Sequence, residues 1–141
     1  MVGAVFLSEG IQKFLYADAC GAGRFLRIGI PAPEVMGPFV GCMEILAGSL
    51  MLVGLLTRFA ALVTLAIMIV AIVSTKIPIL LGEGFWGFSV SKLSRYGFWS
   101  MAHEMRTDWA MLLGSLFLLL AGAGRWSADR ALAGRSRFGR R

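Results

Sequence analysis

Between Val35 and Leu56 run twenty-two residues with a single charge, Glu44, near their middle. Roughly 20 apolar residues in a helix span about 30 Å of hydrocarbon, so this stretch has the length of a transmembrane helix. A carboxylate at that depth is costly and needs either a partner or a task. The rest of the chain must complete a membrane domain and supply that partner. Composition agrees: of 141 residues, 57% are hydrophobic and 16% charged, with mean hydropathy +0.76. A soluble domain carries more charge and fewer long apolar runs.

Four spans are predicted. The first, Met1 to about Tyr16, is short, because 16 residues reach only about 24 Å. It lacks the basic leader and small-residue cleavage site of a signal peptide and is expected to be retained, with the true N-terminus left open. The second runs from about Glu34 to Leu56, after the Pro31-Ala-Pro33 break and with Pro38 in an early turn. The third covers about Phe59 to Leu81, and the fourth Trp109 to Gly124, which carries no charge. Little more than Thr57-Arg58 separates spans two and three, which requires a tight antiparallel hairpin. Spans three and four are joined by Gly82–Asp108, where six aromatic rings, from Phe85 to Trp99, lie among Gly, Ser and a few cations. Such rings settle at headgroup depth. The expected fold class is therefore all-α: a four-helix transmembrane bundle with an aromatic-rich re-entrant or interfacial segment between helices 3 and 4. Gly37-xxx-Gly41, Ala47 and Gly48 have helix-packing spacing, expected to serve the bundle itself, with a dimer seam as the alternative.

The net charge of +6 does not point to nucleic acid. Six arginines fall between Arg125 and Arg141, directly after a hydrophobic run, with Asp129 as the lone acid there. That pattern fits a tail beside anionic lipid on the cytoplasmic side, and an even number of spans places both termini there. Domain organisation follows: a membrane domain over 1–129 and a basic cytoplasmic tail over 130–141. The localisation implied is a bacterial cytoplasmic membrane, crossed several times.

Counting along the helices places every ionisable residue with a claim to the interior in the outer half. Glu44 is roughly 15 Å from the outer end of its span and Glu9 roughly 10 Å from that of the first. Lys13 follows Glu9 at i+4, a spacing that lets the two neutralise each other. Lys76 is near the end of span three, where snorkelling to the interface is the simple expectation. His103, Glu104 and Asp108 approach the same end of span four. Glu9, Lys13, Glu44, Lys76, His103, Glu104 and Asp108 are the candidate polar pocket. No catalytic residue stands out. A lone His supplies neither bis-imidazole haem ligation nor a histidine metal site, and no metal is expected. Cys20 and Cys42 form no CxxC pair, so a dithiol centre is not indicated.

These residues resemble the DoxX family of small four-helix integral membrane proteins. The resemblance rests on Gly3, Phe6, Gly10 and Lys13, on Pro31-Ala-Pro33, and on Gly41-xx-Glu44-xxx-Gly48. Gly54-Leu-Leu-Thr-Arg58, Gly122-Ala-Gly124 and Ser127-Ala-Asp129 continue it. Many relatives carry His where Glu9 stands here. The resemblance implies a redox-accessory or quinone-linked membrane subunit, with a polar pocket in the outer half of the bundle. It implies a quinone as lipophilic ligand, no tightly bound cofactor, and electrons from a soluble or membrane partner. Whether the chain is an enzyme stays open; if so, it is a quinone-linked oxidoreductase subunit needing that partner. The alternative is a non-enzymatic membrane scaffold or lipophile-binding protein. Homo-oligomerisation is left open.

Overall fold

Four long helical rods and one short helix make up the described residues of the protein, seen in a computed structural model that describes residues 1–124 and 127–130. Beyond Arg130, the expected basic tail lies outside the described residues. Helix α1 (Val2–Leu15) is followed by the short α2 (Ala22–Ile28) and by α3 (Pro33–Val53). Helix α4 (Thr57–Ala71) continues through a π-helical turn, Ile72–Lys76, into α5 (Ile77–Leu81), and α6 (Phe98–Ala121) closes the bundle. No strand occurs among the described residues; one isolated bridge joins Phe85 and Phe88. Pro33–Val53 and Thr57–Leu81 are both long and apolar enough to cross a membrane. At 14 residues α1 is short for that, and the first half of α6 carries His103, Glu104, Arg106 and Asp108.

Local chemistry sets the boundaries. Pro33 opens α3 at a position whose N–H has no helical acceptor anyway. Gly54 ends it in the left-handed region at φ 71°, where a Cβ is disfavoured. The π turn has a cause in Pro78. A proline there donates no bond to the Ser74 carbonyl four residues back, and the preceding turn widens until Ile77 N–H bonds the Ile72 carbonyl. Gly82, at φ 76°, stops α5. Helix α6 starts at Phe98, eleven residues before the expected Trp109. The aromatic segment is thus divided: Gly82–Gly97 is a loop over the end of the bundle, and Phe98 and Trp99 ride on the first turn of α6.

The rods pack as two antiparallel pairs, α1 on α3 and α4 on α6. Glycine makes the first pair possible. A methyl placed on Gly48 would sit 2.6 Å from the Leu7 nitrogen, and one on Gly10 would sit 2.7 Å from the Gly41 carbonyl. Gly37 meets Ala22 in the same way, so the small residues of α3 are taken up within the chain. In the second pair Thr64 and Ser115, both fully buried, share a hydrogen bond of 3.0 Å. Val2, Phe6 and Met111 form a core where α1 meets α6.

The α3–α4 hairpin is held from far along the chain. Leu56 N–H and Thr57 N–H donate to the two carboxylate oxygens of Asp129, at 2.7 and 3.0 Å, and Asp129 N–H donates to the Gly54 carbonyl. These are the free donors that begin α4, usually capped by a local side chain. Arg58 reaches across to the Leu120 carbonyl near the end of α6. The hairpin, the start of α1 and the end of α6 therefore share one end of the bundle. Helix α2, the aromatic loop and the start of α6 share the other.

Candidate functional site

The partner that Glu44 requires is Lys13. Its Nζ lies 2.6 Å from Glu44 Oε2, and the side chains are 10% and 4% exposed. The close crossing at Gly10 and Gly41 explains this. Lys13 rises beside Gly41, with its Cβ 3.4 Å from the point where a Cβ on Gly41 would stand, and its ammonium meets a carboxylate one turn along α3. The expected Glu9–Lys13 neutralisation is not what forms. Across the interface a buried carboxylate competes for the lysine, whereas Glu9 stays exposed and has no ion-pair partner among the described residues.

The Lys13–Glu44 pair is on the wall of a cavity of about 540 Å³ between the two helix pairs. Val5, Phe6, Met68 and Met111 line it toward the core, and Phe25, Ile28 and Phe88 line it toward the loop end. Glu9 and Asp108 also border it, so four of the seven candidates meet around one space. Lys76 reaches that space indirectly. Its Nζ is 3.0 Å from Asp108 Oδ2, close enough for an ion pair but outside hydrogen-bonding angles, and that buried oxygen receives no hydrogen bond. Lys76 is only 12% exposed and is paired rather than snorkelling. His103 and Glu104 depart from expectation. Both are exposed on the early turns of α6, off the cavity wall, with the His103 ring against Arg106. Glu104 shares the helical strip of Asp108 but stands a full turn nearer the helix start.

Several wall residues escaped sequence reasoning. Ser74 and Thr75 come from the π turn, and Cys20 and Arg24 are brought in around α2. The Ser-Thr-Lys-Ile-Pro run ahead of Pro78 was the one signal that could have drawn attention to the first two. Arg27 donates to the Asp18 and Ala19 carbonyls at 2.9 and 3.1 Å, which ties α2 to the preceding turn. Ser89 N–H donates to the Ile28 carbonyl at 2.9 Å and brings the aromatic loop down over α2. Cys20 and Cys42 are both free thiols, the second exposed on the outside of α3. Among the described residues no cluster of His, Cys, Asp or Glu has the makings of a metal site.

An all-helical membrane protein with an apolar cavity and charged pairs at its wall is the class these features define. The chain belongs to the DoxX family: that family's sequence profile matches residues 1–77. It is also 54% identical, over 136 residues, to an uncharacterized membrane protein of Mycobacterium tuberculosis, an alignment covering 96% of this chain and 79% of the relative. No solved structure matches it significantly.

Proposed function

We propose that this chain is a membrane-embedded binding subunit for a lipophilic molecule with a polar head, of the quinone class, serving a redox partner that supplies or takes the electrons. The observation that carries this is the Lys13–Glu44 pair on the wall of an otherwise largely apolar cavity of about 540 Å³. Drug-sized ligand sites have this form: apolar walls, a volume of roughly 300–1,000 Å³ and a few converging polar groups. Carboxylates at such a place can accept or relay protons as a head group changes redox state. The accompanying topology is four crossings of a bacterial cytoplasmic membrane. Arg58 and the arginine-rich C-terminus face the cytoplasm, and the cavity opens in the outer half.

Titration of the protein in lipid nanodiscs with a short-chain benzoquinone, followed by calorimetry, tests the proposal. Saturable binding is expected, weakened about 10-fold in Glu44→Gln through loss of a charge-assisted contact. Circular dichroism separates a folded variant from an unfolded one. Absence of saturable binding in the wild type favours the scaffold alternative, in which the pair only joins α1 to α3.

A further inference from the structure

Hydrogen-bonding groups around the cavity divide unevenly between donors and acceptors. Glu44 gives Oε2 to Lys13, and its Oε1 receives no hydrogen bond from the described residues. Asp108 Oδ2 receives none either, although Lys76 Nζ stands 3.0 Å away as its ion-pair partner. Ser74 and Thr75 both donate their hydroxyl protons to the Ala71 carbonyl, at 3.3 and 2.5 Å, which leaves these side chains with lone pairs alone. Against these acceptors stand Arg24, the Thr107 hydroxyl, the remaining ammonium protons of Lys13 and, beside Asp108, Lys76.

Resting on the ligand site proposed above, we infer that the cavity selects a head group bearing hydroxyls: a dihydroxy aromatic ring in preference to its dicarbonyl counterpart. A carbonyl oxygen only accepts, so beside Glu44, Asp108, Ser74 and Thr75 it sets lone pair against lone pair. A hydroxyl donates to a carboxylate while accepting from Lys13, and so satisfies both kinds of wall group with one atom. An amine head satisfies the carboxylates but opposes Lys13 and Arg24 and accepts from neither. Buried acceptors left unpaired make a polar site discriminate strongly against a ligand that lacks the donor.

Three probes with the same decyl chain test the inference: the hydroquinone, the benzoquinone and the dimethyl ether of the hydroquinone. Each is titrated anaerobically against the protein in nanodiscs. The hydroquinone is expected to bind at least ~10-fold more tightly than the other two, because the ether keeps ring and chain but has no proton to donate. Thr75→Val, which removes an acceptor and keeps the shape, is expected to narrow the gap between hydroquinone and benzoquinone. Equal affinity for all three, or tighter binding of the benzoquinone, overturns hydroxyl selection while lipophile binding stands. Failure of every probe to bind removes the ligand site itself, and the selection with it.

Discussion

Glu44 stays inside α3 because an ammonium sits 2.6 Å away, and the same closeness makes each partner dependent on the other. Taking away one member of a buried pair leaves a charge with no compensation, a loss of about 3–5 kcal/mol, whereas replacing both with apolar groups is often nearly neutral. Lys13→Met is therefore expected to lower the unfolding temperature sharply, and Lys13→Met with Glu44→Leu to recover most of it. A thermal-melt double-mutant cycle in detergent measures the coupling, and additive losses would show that the pair contributes nothing. Asp129 behaves differently, since it lies after α6. The N–H of Thr57, and then that of Leu56, hold its carboxyl below the ordinary value of 3.8. A depressed carboxyl stabilises the fold above its unfolded pKa and loses that contribution as pH falls through its folded pKa. The hairpin latch should thus persist at neutral pH and open only in acid below about 3.8. Asp129→Asn should remove this part of the acid dependence in melts recorded from pH 7 downward.

Among the elements, α1 and α3 are joined through glycine, whereas α4 buries Ala60, Ala61 and Thr64, the last hydrogen-bonded to Ser115 of α6. Gly48→Leu has no room against the backbone of Leu7, and the clash separates the helices at their crossing. Cross-linking of cysteines introduced at Ala4 and Leu52 is expected to fall in that variant and persist in Gly124→Ala, where a Cβ meets nothing within 4 Å. The π turn offers a gentler change. Pro78→Ala restores the missing N–H, so the turn is expected to relax toward α-helix and rotate Ser74 and Thr75 off the wall. Ligand affinity should then drop while helicity by circular dichroism holds.

At the scale of the molecule, Asp129 ties the two helix pairs together at the hairpin end, Arg58 joins α4 to α6 there, and the cavity lies between the pairs toward the loop end. On the four-crossing topology proposed above, the aromatic loop lies outside and the hairpin inside. A cysteine at Ser94 in a Cys20→Ser, Cys42→Ser background should react with an impermeant maleimide on intact cells, whereas one at Ser127 should react only after permeabilisation. Labelling of both from outside contradicts that topology.

The four long apolar segments, the ends of α3 and the need to compensate Glu44 were legible along the chain, because hydropathy, proline and glycine act within a few residues. The short α2 and the polar first half of α6 were not. Sequence order also placed Glu9, Lys13 and Asp108 near one end of the bundle. It did not say which cation would meet Glu44, since 31 residues separate it from Lys13 and only the helix crossing brings them together. The same holds for Asp129 capping a helix that starts 72 residues earlier, and for Arg24 on α2 and Cys20 in the turn before it reaching the cavity. A charge announces its own cost locally, but the group that offsets that cost is chosen by how closely two backbones approach, and this is settled only when the helices pack.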